Sequence, residues 1–267
     1  MTFPTVESLE AAAEDLATLS AVVNGEPNDE PVARLGHHLL PLSAIPALIG
    51  SRLVPFRDPV LVTSSGDVST PAGATAVLVT CVSGGGSGGS AASSPSNASA
   101  GSGGGGGGLS ESFLDNPGAT ITMVIGAGGA APAAGANDGN AGGDTTAYSS
   151  RLAAIFCKAT GGAGGRHIGS SADDNIEGGA GGNASGAIGN LRTLSGDSGG
   201  YALVVGTASI GGRGGRGSDG QAGGKECMSA GHGHGPGGGA MSRGDPSAYP
   251  GGVGRDGYAI LQFYTEV

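Results

Sequence analysis

Apolar residues at Leu9, Ala12, Leu16, Leu19 and Val23 follow a 3-4-3-4 spacing, while Glu7, Glu10, Glu14 and Asp15 lie off that seam. The spacing predicts a helix with one apolar face. Thr5 can cap its first turn, and Asn24-Gly25 supplies a left-handed stop. So short and acidic a helix is marginal alone in water. The seam therefore predicts packing either against copies of itself, as a parallel coiled coil with a trimer favoured, or against the next segment.

Residues 26–59 change the pattern. Prolines at 27, 31, 41, 46, 55 and 59 stand among aliphatic residues such as Leu39, Leu40, Leu42 and Ile45. Prolines this frequent forbid a long helix and predict extended pieces and turns. His37 and His38 are adjacent, so on an extended chain they point to opposite faces, and a turn or interface role outweighs metal binding.

From residue 60 onward short apolar runs alternate with glycine. Strands are predicted at 60–63, 74–82, 119–125, 150–160, 201–210 and 258–267. Between them, GGSGGS at 85–90, GGAGGR at 161–166, GGAGGN at 178–183 and GGRGGRG at 211–217 place a non-glycine residue at every third position. Three residues make one turn of polyproline II, whose N–H and C=O groups point outward. Glycine edges let such helices approach until those groups meet across neighbouring chains. The pattern predicts a bundle in which the Ser, Ala, Arg or Asn edge faces solvent or a strand layer. The expected fold is mainly β and irregular. It comprises an N-terminal helical stalk (1–25), a Pro-rich neck (26–59) and a glycine-rich domain of strands and polyproline-II helices (60–267).

Composition sharpens this picture. Only five of the 59 glycines precede Gly84, and no Gly-X-Y period runs through the body, which excludes collagen. A net charge of −10 argues against binding nucleic acid. No apolar run approaches a membrane span, and MTFPTVESLE lacks the basic and apolar regions of a signal peptide, so synthesis in a cytoplasm without membrane insertion is expected. Cys81, Cys157 and Cys227 cannot all pair within one chain; the first two sit in apolar runs and read as small buried hydrophobes.

Candidate chemistry is sparse. Matches to GxGxxG follow from glycine content, and Gly224-Lys225 is followed by Glu226, so neither marks a nucleotide site. No nucleophile–base constellation stands out, and neither enzymatic activity nor a cofactor is expected. His232 and His234 could share one side of a strand and ligate a cation, but a glycine loop makes a poor preformed site and no metal is assigned. Arg243-Gly244-Asp245 reads as two charges at a loop tip. Insertions at 91–100, 132–140, 166–177, 184–197 and 225–249 interrupt the period with small, polar, turn-forming residues, the composition of recognition loops on a rigid scaffold. The candidate binding residues are His232, His234, Arg243, Asp245 and Tyr249 in the longest insertion, with Arg192 and Asn183.

The run VTSSGDVSTPAGATAVLVTCVSGGGSGG resembles the opening of the glycine-rich domain at the ends of bacteriophage tail fibre proteins. NPGATITMVIGAGGA, YSSRLAAIFCKATGGAGG and GGVGRDGYAILQFYTEV are similar to that family's later strands. The first strand departs from the pattern, carrying Ala76 and Leu78 where the family often has an aromatic or basic residue. The resemblance implies a homotrimeric fibre or spike tip in the virion, synthesised in the host cytoplasm and joined to tail or baseplate proteins through its N-terminal segment. It would attach without catalysis to a bacterial glycan, outer-membrane protein or pilus. A bacterial glycine-rich surface or matrix protein and an ice-binding bundle are the alternatives. The first would need an export signal, and the second a flat row of Thr and Ala that the insertions interrupt.

Overall fold

The computed structural model describes residues 32–35, 38–41, 53–169, 174–176, 189–205, 208–225, 237–245 and 247–266. The predicted helix, with Leu9, Ala12, Leu16, Leu19 and Val23, lies outside them. The chain divides into two compact units, Met1–Val54 with Glu266–Val267, and Pro55–Thr265. In the first, β1 (Val32–Leu35) and β2 (His38–Pro41) form an antiparallel hairpin in which Leu35 faces His38.

The remaining strands are β3 (Leu53–Pro55), β4 (Val60–Val62), β5 (Gly66–Ser69), β6 (Ala76–Val82), β7 (Ser94–Gly101), β8 (Leu109–Asp115), β9 (Thr120–Val124), β10 (Thr145–Ser149), β11 (Ala154–Ala159), β12 (His167–Ile168), β13 (Asp174–Ile176), β14 (Arg192–Leu194), β15 (Ala202–Val205), β16 (Ala208–Ile210), β17 (Met241–Asp245) and β18 (Tyr258–Glu266). The described residues are mainly β and contain no helix.

One end of the second unit is a sandwich. A sheet ordered β14-β8-β6-β18, with β4 also paired to β18, faces a sheet ordered β11-β10-β9-β5. Alternation in β6 and β18 turns Val77, Val79, Cys81, Ala259, Leu261 and Phe263 inward, where they meet Ile121, Met123, Ala147 and Cys157. Serines draw the layers together, because Ser110 Oγ donates to the Lys158 carbonyl at 2.6 Å and Ser112 Oγ to the Phe156 carbonyl at 2.7 Å. Both thiols are free and buried. Contact with Cys157 and burial push the Cys81 thiol far above its ordinary range, which suits a packing role.

Beyond the sandwich the core is backbone. From residue 84 the N–H groups visit three neighbours in rotation. Residues 84, 87 and 90 donate to the carbonyls of 143, 140 and 137; residues 85, 88 and 91 to 255, 252 and 249; residues 86 and 89 to 105 and 102, all at 2.8–3.0 Å. A partner that recurs every third residue, in descending order, is the signature of threefold helices packed antiparallel. The carbonyls of 84 and 87 accept from Gly162 and Gly165, that of 85 from Gly129, and that of 89 from Ala240. The segment 84–90 is thus ringed by six others. A Cβ added to Gly84, Gly86 or Gly88 would lie 2.0–2.2 Å from a neighbouring carbonyl oxygen, so only glycine permits this spacing.

One expectation is overturned inside this lattice. Ser87 and Ser90, expected on an edge facing solvent or a strand layer, are both 0% exposed. Their hydroxyls are small enough to enter, and they bond the backbone opposite. Ser87 Oγ accepts from Asn140 N at 2.7 Å, and Ser90 Oγ lies 2.9 Å from the Gly135 and Asn137 carbonyls while accepting from Asn137 N at 3.2 Å. Arg166, Arg213 and Arg216, too long to enter, are exposed. Ser90→Ala should remove the hydroxyl's bonds to Asn137 N and to the carbonyls of 135 and 137 and lower unfolding free energy by about 0.5–1.5 kcal/mol, read as a shift of the urea midpoint.

The lattice ends in a second, smaller core. The sheet β12-β7-β17 and the sheet β13-β15-β16 supply buried Ala98, Ala100, Ile168, Ala202 and Val204. The apolar run 201–210, expected as one strand, is instead the antiparallel pair β15 and β16, with Val205 opposite Ala208. A glycine at 206 weakens a continuous strand there. The run 150–160 is strand only from Ala154, after a turn that places Ala153 at a φ of 51°.

Candidate functional site

Each glycine segment carries the chain from the sandwich to the far end of the lattice or back again. Residues 84–90 lead from β6 outward, and 101–108 return to β8; 126–130 lead out from β9, and 137–143 return to β10; 160–166 lead out from β11, and 250–257 return to β18. The turning points between these segments therefore gather at one end. Residues 91–100, 131–136, 166–168, 241–245 and 247–249, which come from separate stretches of the sequence, meet there.

Several contacts fix this end. Ala91 and Tyr249 exchange backbone hydrogen bonds at 2.9 Å in an isolated bridge. His167 N donates to Asp138 Oδ1 at 2.7 Å, and the His167 ring places Nδ1 3.0 Å from the Ser90 carbonyl. A carbonyl only accepts, so that Nδ1 carries a proton and Nε2 is the nitrogen left to meet a ligand. Ala92 N donates to Ser99 Oγ at 3.0 Å, which closes residues 92–99 on themselves.

Of the residues expected to bind, Tyr249 sits in this assembly. Arg243 and Asp245 belong to β17, with Arg243 opposite Ala98 and Asp245 opposite Ser94 of β7. The loop-tip reading of Arg243-Gly244-Asp245 is thus corrected to a strand, and residues 94–101, expected as part of a loop, are its partner. Pairing between the two segments outweighs the poor strand propensity of Ser, Asn and Gly. Arg192 is elsewhere. It begins β14 at the sandwich end, where its Nη2 lies 2.9 Å from Glu111 Oε1. His232, His234 and Asn183 lie outside the described residues. Among the described residues no group of three or more His, Cys, Asp and Glu side chains is placed to hold a metal ion.

His167 and Asp138 were not singled out as binding residues. Each lay inside an insertion recognised as interrupting the glycine period, but the bond between them crosses two segments whose adjacency depends on the order of the lattice. Elsewhere, Lys158 Nζ lies 2.7 Å from Asp144 Oδ2. Partial burial alone would raise the Asp144 carboxyl, but hydrogen bonds from Lys158 and from Gly161 N hold it below its usual value. This pair braces the junction of sandwich and lattice.

None of the curated proteins compared with the chain matches it. A family model described as a glycine-rich domain matches residues 62–264. The match begins in β4 and ends in β18, so it spans the sandwich, the glycine lattice and the far sheets together. The chain belongs to the glycine-rich domain family.

Proposed function

We propose that the chain is the receptor-binding tip of a phage tail fibre or spike, acting by non-catalytic adhesion to a bacterial surface. The observation that supports this reading most is the gathering of separate insertions at one end of a backbone-built lattice. A core made of N–H···O=C contacts uses few side chains, so residues at the turning points can vary without disturbing what holds them. Binding geometry is then supplied by a rigid support and chemistry by the exposed positions.

In this reading the finer architecture follows the sequence expectation. The N-terminal seam of Leu9, Ala12, Leu16, Leu19 and Val23 assembles a homotrimer and joins the tail, the neck of 26–59 follows, and 60–267 is the polyproline-II domain that binds. His232, His234, Arg243, Asp245 and Tyr249 belong to the receptor surface. Three copies multiply a modest affinity when the receptor is multivalent.

The test is a pull-down of labelled full-length chain on a panel of bacterial strains, with the assembly's mass measured in parallel. Saturable binding to a subset of strains, reduced when residues 226–236 are replaced by a Gly-Ser linker of equal length, is expected. Replacing only that span retains β17, whose Met241 is buried. Absence of saturable binding throughout the panel would overturn the reading, and a monomeric mass would overturn the trimer.

A further inference from the structure

The flank of the lattice carries a feature that the turning points do not explain. An open groove of about 850 Å³ runs beside residues 211–217, between them and the segments at 197–198 and 222–225. Arg213, Arg216 and Lys225 line it, with Asp197 the one carboxylate among its lining residues and glycine backbone making up much of the rest. In a chain of net charge −10, this is a local reversal of sign.

The lattice produces the reversal. Gly212 and Gly215 donate to the carbonyls of 101 and 104 behind them, and Gly214 and Gly217 to those of 224 and 221 beside them. The carbonyls of Arg213 and Arg216 accept from Gly200 and Asp197. In a threefold helix residues three apart share an edge, so both guanidinium groups are carried on one exposed edge, about 9 Å apart along the axis. Among the described residues neither arginine, nor Lys225, has an ion-pair partner, and the N–H groups of 213 and 216 have no backbone acceptor. The same two residues thus bring two unpaired guanidinium forks to the groove, the groups that take up carboxylates and phosphates.

We infer that this groove binds an acidic polysaccharide, with Arg213 and Arg216 each taking an anionic group of successive repeat units and Lys225 adding charge at one wall. The inference deepens the receptor-binding reading and rests on it. A linear glycan bearing carboxylates or phosphodiesters suits a groove whose cations are few and about 9 Å apart. Duplex DNA carries a charge roughly every 1.7 Å and is met by longer basic stripes.

The experiment titrates the full chain with polygalacturonate, with poly(glycerol phosphate) and with neutral dextran, at about 50 mM and about 300 mM salt. Duplex DNA is the further arm. At low salt one of the acidic polymers should bind and dextran should not, the polymer identifying carboxylate or phosphodiester as the recognised group. R213Q/R216Q should weaken that binding roughly 10- to 100-fold, the loss of two charge-assisted hydrogen bonds. R57Q/R151Q, which removes the same charge from exposed sites at the sandwich end, should leave it within about twofold. K225Q gives an independent single variant, and equal melting temperatures confirm that the fold is kept. No binding to either acidic polymer, equal losses in the two double variants, or tighter binding of DNA would overturn the inference. On cells, wild-type adhesion that R213Q/R216Q leaves unchanged would overturn the groove while keeping the receptor reading. Arginine-dependent polymer binding without any cell adhesion would keep the groove and overturn the receptor reading.

Discussion

Gly88→Ala is expected to unfold much of the domain, whereas Gly85→Ala, three residues away, should be nearly silent. Both residues lie in the segment that six others surround. A Cβ on Gly88 would sit 2.1 Å from the Gly238 carbonyl oxygen and 2.4 Å from its carbon. These are main-chain atoms, so relief requires moving a whole segment. Gly238 O accepts from Gly252 N, and Gly88 N donates to Gly252 O, so the displacement breaks bonds on two sides. Overpacking costs about 1–3 kcal/mol in ordinary cores, and each buried main-chain group left unpaired adds about 1–3 kcal/mol, so with two such groups the total is about 3–9 kcal/mol. That is a large share of the roughly 5–15 kcal/mol that holds a domain together. A Cβ on Gly85 would be 3.4 Å from the Gly105 carbonyl oxygen, a normal contact. Its cost is offset by the smaller entropy of the unfolded alanine chain, so its effect should stay within about 1 kcal/mol. Urea unfolding of both variants decides the matter. Equal stabilities would mean that the lattice is loose enough to absorb a methyl group.

The same positions show why part of the fold was legible in the sequence. A threefold helix writes its period directly into composition, because wherever a neighbour's backbone must approach, only glycine fits. GGSGGS at 85–90 and GGRGGRG at 211–217 carry that imprint. What the period could not reveal was which third residue faces in. Ser87 and Ser90 face other backbone, whereas Arg213 and Arg216 face the groove, and the difference depends on whether a segment lies at the centre or on the flank. Strand β8 was missed for a related reason. Its buried face includes Ser110 and Ser112, which reads as solvent-facing until the carbonyls of β11 are placed opposite. Strand β7, SPSNASAG, has little intrinsic strand tendency and exists because β12 and β17 flank it.

The candidate site was legible in pieces. The insertions at 91–100, 132–140, 166–177 and 225–249 were marked by loss of the period, and Tyr249 was among the residues chosen. Their convergence was not readable, because it depends on how many times the chain crosses the lattice and in what order. Arg192 shows the limit. It stood in an insertion like the others, yet the chain had returned to the sandwich by then, and the residue closes on Glu111.

Phe263→Ala tests whether the side-chain core and the backbone core fold as one. Phe263 is 1% exposed and is the largest fully buried side chain among the described residues; it lies opposite Val77 in the β6–β18 ladder. Phe56, whose N–H donates to the Phe263 carbonyl at 2.9 Å, packs against the same core cluster, so this core holds both the central strands and the residues that precede β4. Truncation removes most of a buried ring and leaves a cavity, at a cost of about 3–5 kcal/mol. The loss should spread, because β6 runs straight into the lattice through Ser83. Ser83 N donates to Gly108 O at 3.0 Å, and its hydroxyl donates to Thr160 O at 2.5 Å, tying together three segments at the point where they leave the sandwich. Hydrogen exchange on F263A should therefore show protection falling by a similar free energy at 77–82 and at 84–90. If only the strand amides lose protection, the lattice is a separate cooperative unit held by its own hydrogen bonds. In that case glycine packing, with no side-chain core beneath it, would suffice to keep the distal surface in shape.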